Sequence, residues 1–493
     1  MKQANMILDK DYAIARIDPR IYGSFIEHLG RAVYGGIYEP DHPTADAEGF
    51  RRDVIDMVRK LGVPVVRYPG GNFVSGYDWK DGIGPKDRRP VRPDMAWSAI
   101  EPNQVGTDEF LRWCERTGIE PMLAVNLGTG TPKDAVELLE YCNGSAHTYW
   151  ADKRRENGHD APYGVKLWCL GNEMDGAWQI CSKTATEYGR IACETAKLMK
   201  MFDPDIQLVV CGSSFRAMPT FGVWEEEVLR QCYPYVDYLS LHQYYTNPEG
   251  DVMNFLARDV EMAGFIREVA DICEKIRLET GSDKHIRLSF DEWNVWYHYA
   301  KNGVVPPKWT VARPIEEERY DFADALVVGC MLNTLLNHAD VVKISCLAQL
   351  VNALAPIMTE PNGRAWAQTT YWPFYYGSRF GRGTALRAEL EVPTYACGVS
   401  ETAPYLSCAA VLSEDGKTLT VFAINKNPDE AATLSLSGFK GAPVQHVTLT
   451  APSFDTVNTA EAQPVLPREL PLAPDGAPEL PPASWNMLRF RLA

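Results

Sequence analysis

Between about residues 20 and 385, short apolar runs rich in β-branched residues alternate with longer segments whose apolar positions recur every three or four residues. Eight runs have this character: IYGSFIEHL (21–29), VPVVRYPGG (63–71), EPMLAVNLG (120–128), GVKLWCLGNE (164–173), IQLVVCGSS (206–214), VDYLSLHQYY (236–245), HIRLSFDEWN (285–294) and DVVKISCLAQ (340–349). They are nearly continuous rather than strictly alternating, as expected of parallel strands covered on both faces. The intervening segments have a helical period. Val54, Met57, Val58 and Leu61 share one face of a helix that Gly62 is placed to end. In TDEFLRWCERTG, Thr107 is placed to cap a helix, Asp108 and Glu109 favour the positive end of its dipole, and Gly118 closes it. Further helical stretches cover 185–202, 252–280 and 319–338.

Eight strand–helix repeats predict an α/β fold, a (β/α)8 TIM barrel over residues 16–384, with its active site at the C-terminal ends of the strands. A doubly wound open sheet is the alternative, but no Gly-x-Gly-x-x-Gly turn follows the first strand. Beyond residue 385 the pattern alternates with period two, and Asp415-Gly416 reads as a hairpin turn. A C-terminal antiparallel β-sandwich domain over 385–493 is expected, with a strand from residues 1–15 supplying an edge and a long loop through the Pro-rich stretch 464–482.

Composition narrows the partners. With 45% hydrophobic and 23% charged residues in 493, the chain is ordinary globular material. Its formal net charge of −16 argues against nucleic acid or an anionic membrane as partner, since polyanions are held by Lys and Arg. No apolar run reaches the roughly 18 residues of a membrane span, and the N-terminus lacks the apolar core of a signal peptide. Twelve dispersed cysteines form no CxxC pair, so free thiols in a reducing cytoplasm are expected, with no metal and no cofactor.

Polar residues crowd the predicted strand ends: Glu27 and His28, Arg67 and Asn72, Asn126, Asn172 and Glu173, His242 to Tyr244, Asp291 to Trp296, then Gln349 and Asn352. Trp97 joins them from a loop. A lone acid at a strand end is most often a cap or an ion-pair member. Here Glu173 and Glu292 each follow an apolar run directly, on strands that face each other across a barrel mouth. Two carboxyls in one cleft, with aromatic walls and amide donors, are what glycoside hydrolysis requires.

The stretches IYGSFIEHLGRAVYGGIYE, VVRYPGGNFVSGYDW, EPNQVGTDEF, WCLGNEMDGAWQI, SLHQYY and DEWNVWY resemble the α-L-arabinofuranosidases of glycoside hydrolase family 51, retaining enzymes on a (β/α)8 barrel. The resemblance implies Glu173 as general acid/base and Glu292 as nucleophile. It implies Asn172 as partner of the sugar 2-hydroxyl, and Glu27, Asn72, Trp97, Tyr244, Trp296 and Gln349 as the lining of a furanose pocket. Arg67 and His242 match residues that hold the nucleophile and its surroundings. An arabinose-containing oligosaccharide substrate and a homo-oligomer, commonly a hexamer, follow from the same likeness. EPNQVGTDEF departs from the family pattern at or near Val105, where a bulky apolar residue is usual.

The chemistry sets further expectations. Arg67 and the Tyr244 hydroxyl should keep Glu292 ionised, and the charge of Glu292 should help Glu173 keep its proton. Trp97 and Trp296 are pocket walls or rim packing, and His242 either orients Glu292 or bonds a neighbouring strand. His28 is expected to be a structural histidine and Asp175 a loop cap or ion-pair member. Strand alternation points Asp291 away from Glu292, as a residue supporting the site from behind, and Glu316-Glu317-Glu318 reads as a solvated face opening a helix. Rival readings are a retaining β-xylosidase or endo-glucanase on the same barrel, or an inactive carbohydrate-binding protein. A mouth closed by Trp97 and the 300–315 loop would mean exo action.

Overall fold

The computed structural model describes residues 2–298, 306–472 and 477–492. Eight parallel strands close into a barrel, excluding the open sheet. In chain order the chain runs β1 (Lys2–Arg16), β2 (Gly23–Phe25), α1 (Arg52–Leu61), β3 (Val65–Tyr68), α2 (Thr107–Thr117), β4 (Glu120–Val125), α3 (Pro132–Asn143), β5 (Leu167–Leu170) and α4 (Ala185–Phe202). It continues with β6 (Gln207–Val210), α5 (Val223–Cys232), β7 (Tyr238–Tyr245), α6 (Arg258–Thr280), β8 (Arg287–Val295), α7 (Phe322–Asn337), β9 (Val342–Ala348) and α8 (Tyr371–Phe380). Strands β2 to β9 form the barrel.

Local signals act as read, with small shifts. Gly62 ends α1 in the left-handed region, its N–H donating to the Val58 carbonyl. Gly106, not Thr107, is the N-cap of α2, and the Glu109 side chain accepts from the Gly106 N–H at 2.9 Å. The first barrel strand is only three residues long, so Glu27 and His28 lie beyond its end rather than within it. The interior of the barrel is filled by Phe25, Val65, Met122, Leu167, Val209 and Ile344 among others, so it is a packed core and not a channel. No helix among the described residues is long and apolar enough to cross a membrane.

Among the described residues, β1 and the chain from Thr384 onward build a nine-stranded sheet, with a separate two-stranded ribbon pairing Thr394–Tyr395 with Ala403–Pro404. The main strands of the sheet are β10 (Thr384–Glu391), β11 (Leu406–Leu412), β12 (Thr418–Asn425), β13 (Ala432–Ser437), β14 (Gly441–Leu449) and β15 (Ser484–Leu492). β11 and β12 are the hairpin across Asp415-Gly416, with Leu412 opposite Leu419. Pairing is antiparallel except where β1 runs parallel to β13. β1 therefore lies inside the sheet, between β10 and β13, and not at an edge. Helix α7 is buried along nearly its whole length, as a helix apolar on nearly every side must be, and its few polar side chains are bonded inside the fold. The Asn333 amide on α7 donates to the Ser407 carbonyl of the sheet at 3.0 Å.

Candidate active site

Glu173 owes its position to how β5 stops. Leu167–Leu170 are all buried, and the chain then turns on Gly171 at φ +86, a conformation suited to glycine. Asn172 follows, and Glu173 itself sits at φ +44. A non-glycine residue there costs about 1 kcal/mol or more. The turn is closed by the Gly176 N–H on the Glu173 carbonyl at 2.9 Å and anchored by fully buried Met174.

Glu292 reaches the same point from β8 by way of a bulge. Ser289 pairs with Ser240 and Glu292 with His242, so three steps on β8 oppose two on β7. One extra residue breaks the alternation. The expectation that Asp291 faces away is therefore overturned: Asp291 is buried inside the barrel, 3.2 Å from His242 Nε2 and 3.9 Å from Arg67 Nε.

The two carboxyls meet over His242. Its Nδ1 lies 3.0 Å from Glu173 and 3.4 Å from Glu292, and a ring nitrogen and one oxygen of each carboxyl are mutually within 4.8 Å. The two open readings of His242 are not exclusive: it lies against Glu292, against Asp291 of the neighbouring strand and, unforeseen, against Glu173. Burial lowers its pKa, but the charges of Glu292 and Asp291 and its hydrogen bonds to Asp291 and Glu173 outweigh that and push it up to about 10, so the ring is a cation at neutral pH. Arg67, also buried, donates to Glu292 at 3.1 Å and to Asn172 Oδ1 at 2.6 Å. The Tyr244 hydroxyl donates to the other oxygen of Glu292 at 2.7 Å. Burial and Glu173 push the Glu292 carboxyl up, while His242, Arg67 and Tyr244 pull it back, leaving it above the ordinary carboxylate range.

A cavity of about 560 Å³ opens over this pair. Glu27, Asn72, Trp97, Glu173, Tyr244, Glu292, Trp296 and Gln349 all line it, whereas Arg67, Asn172 and His242 support it from beneath. Glu27 accepts from the Phe73 N–H at 2.8 Å and the Trp97 indole at 3.0 Å, and its own N–H donates to Gln349 at 2.9 Å. Gly71 is packed so close that a Cβ would fall 2.2 Å from the Glu27 carboxylate. Burial, then the charge of Glu292, push Glu27 up to about 8. Tyr244 and Trp296 meet edge to face at 4.9 Å.

Other strand-end residues serve the frame. His28 bridges Glu101 and the Tyr68 hydroxyl, each at 2.7 Å, and stacks on Phe73, as a structural histidine. Asn126 caps its own loop, and Asn294 and Asn352 bond backbone carbonyls. Asp175 holds the Ser214 backbone and hydroxyl. Val105 is fully buried and accepts no place in the cavity wall, so the family departure there lies in the core.

Sequence reasoning missed two residues. Trp178 donates its indole N–H to Glu173 at 2.7 Å and stacks on Phe215 at 5.9 Å; its place five residues on, in the same turn, was the available signal. Glu316, read as part of a solvated run, is instead buried in the cavity wall and accepts from the Trp296 indole at 2.6 Å. Its neighbours also turn inward: Glu317 binds Arg31 at 2.6 and 3.1 Å, and Glu318 accepts from the Tyr297 N–H. No α-helix opens on this run; α7 starts at Phe322.

Two carboxyls this close at the mouth of an eight-stranded barrel define a glycoside hydrolase. Residues 57–261 match the α-L-arabinofuranosidase 1 domain, and residues 291–484 match the α-L-arabinofuranosidase C-terminal domain. The chain is 50% identical to the intracellular exo-α-(1→5)-L-arabinofuranosidase 1 of Bacillus subtilis, covering 100% of this chain and 99% of that one. It is 44% identical to an exo-α-(1→6)-L-arabinofuranosidase of Bifidobacterium longum, covering 100% and 98%. The solved structure of the family 51 enzyme AbfB from Bifidobacterium longum superimposes with a TM-score of 0.95 at 42% identity, covering 99% and 100%. The chain belongs to the α-L-arabinofuranosidases of glycoside hydrolase family 51.

Proposed function

We propose that this enzyme releases terminal α-L-arabinofuranosyl residues from the non-reducing ends of arabinan- and arabinoxylan-type oligosaccharides, with retention of configuration. The observation that carries the reading is the approach of Glu173 and Glu292, with an oxygen of each within 4.8 Å. Retaining glycosidases hold their carboxyls about 5–5.5 Å apart, and inverting ones leave room for a water between them. Glu292 attacks the anomeric carbon while the proton of Glu173 passes to the departing glycosidic oxygen. A glycosyl ester of Glu292 forms as that C–O bond breaks. Glu173 then takes a proton from water, the hydroxyl adds to the anomeric carbon, and Glu292 leaves as carboxylate.

Asn172, fixed by Arg67, is the proposed partner of the sugar 2-hydroxyl; Glu27, Asn72, Tyr244 and Gln349 bind the furanose between Trp97 and Trp296. Indole walls around one terminal sugar support exo action over an endo-glucanase groove; residues 299–305 of the loop expected to close the mouth lie outside the described residues. We further propose a barrel over 16–384 and a sheet domain over 385–493 completed by 1–15, on the strand pairing. A cytoplasmic location and a homo-oligomer, a hexamer by family likeness, complete the reading; the relatives' names support the first.

Azide rescue tests the roles. On an aryl α-L-arabinofuranoside, Glu173→Ala with azide should yield the α-glycosyl azide, and Glu292→Ala the β-azide, after losses of at least about a thousandfold without it. Wild-type turnover by Glu292→Ala would refute the mechanism.

A further inference from the structure

Two buried side chains outside the assigned set lie on one segment, residues 306–318: Arg313 holds the backbone of Trp97, whose indole Glu27 holds, and Glu316 holds the indole of Trp296. Arg313 donates to the Trp97 carbonyl at 3.0 Å and, through Nε and Nη2, to the Pro306 carbonyl at 3.2 and 3.1 Å. The segment also pairs with the Trp97 loop through Trp309 N–H to Ser98 at 2.7 Å and Ile100 N–H to Thr310 at 3.1 Å. Three residues on, Glu316 holds the Trp296 indole at 2.6 Å, and its carbonyl accepts from the Leu354 N–H at 2.7 Å. Glu316 sits at φ +57, a left-handed conformation that costs a non-glycine residue free energy and persists only where surroundings impose it.

We infer that Arg313 and Glu316 are positioning residues that set the spacing of Trp97 and Trp296, and thereby the selection of a furanose over a pyranose. The inference rests on the reading of these two indoles as walls of the sugar pocket. A side-chain oxygen at position 316 fixes the indole N–H by accepting from it, and a guanidinium fork spans two carbonyls that an ammonium cannot hold in one plane. Because Trp296 also packs against Tyr244, which bonds Glu292, a displaced indole disturbs the nucleophile as well as the wall. No contact of the segment with the catalytic carboxyls is required.

The test compares kcat and KM on 4-nitrophenyl α-L-arabinofuranoside and 4-nitrophenyl β-D-xylopyranoside. Glu316→Ala and Arg313→Met should each raise KM for the arabinofuranoside about tenfold and raise the xyloside-to-arabinofuranoside ratio of kcat/KM. Glu316→Gln retains an acceptor and should stay within about threefold of wild type. Trp296→Phe removes the N–H donor while keeping an aromatic wall; adding Glu316→Ala to it should cost little more, since the bond is already gone. If Glu316→Ala does not fold, the Gln variant still decides: a loss as large as that of Trp296→Phe would overturn the inference. Unchanged KM and ratio in the Ala and Met variants, or full additivity in the double variant, would overturn it too. If Trp97→Ala and Trp296→Ala leave KM for both glycosides unchanged, the pocket reading itself fails, whatever positions 313 and 316 show.

Discussion

His242 Nδ1 stands 3.0 Å from the Glu173 carboxylate, joining a side chain of β7 to the turn that follows β5. The same imidazole faces Glu292 and Asp291, so together with Arg67 it sets positive charge against the adjacent carboxylates.

This arrangement predicts a stability signature. The folded pKa of His242 is raised to about 10 from an ordinary 6.5. Its contribution is fully present below pH 6.5 and is lost as pH rises towards 10, with a slope of at most about 1.4 kcal/mol per pH unit for one proton. Urea unfolding of wild type and His242→Gln across that range should show the wild type losing stability faster. Parallel curves would remove His242 as the cause.

Trp178 is placed to matter when the leaving group needs a proton. Trp178→Phe removes the N–H donor to Glu173 but keeps an aromatic ring. The expected loss in kcat is about tenfold on an arabino-oligosaccharide and under about threefold on a 2,4-dinitrophenyl glycoside, whose leaving group departs unaided. Equal losses on both would show that Trp178 acts by some route other than the acid.

Glu27, with its pKa pushed up to about 8 by burial and by Glu292, is protonated at pH 7 and ionises just above it. That ionisation adds a negative charge beside the nucleophile. The alkaline limb of kcat/KM should therefore contain a transition near pH 8 that Glu27→Gln removes. A limb unchanged in the variant would assign it to another group.

Arg67 supports both Glu292 and Asn172 from a buried position. Arg67→Met should lower kcat by about a hundredfold or more and cost about 3–5 kcal/mol of stability, because buried carboxylates lose their cation. Arg67→Lys should not restore kcat, since a single ammonium cannot reproduce the fork that reaches both partners. Recovery by lysine would show that charge alone is needed.

Much of the architecture was legible along the chain. Parallel strands buried on both faces must be continuously apolar, so eight such runs declared the barrel, and the polar residues ending them declared its mouth. Gly62 and Asp415-Gly416 marked a helix end and a hairpin because φ requirements are local. Glu173 and Glu292 stood out for the same reason: each directly follows a buried run. The family likeness then gave roles that residue patterns alone leave open among several barrel glycosidases.

What the tertiary structure decided were contacts between distant segments and departures from regular period. Alternation sent Asp291 the wrong way because one extra residue in β8 is invisible to a count along a single strand; it exists only in the register against β7. Three consecutive glutamates looked solvated, since charge runs usually are, yet Trp296, Arg31 and Tyr297 meet them one by one across the fold. The spacing of the catalytic carboxyls belongs to the same class of fact. By itself the sequence determined which residues reach the mouth of the barrel; barrel closure, the bulge and the packing of remote loops decided which of them touch.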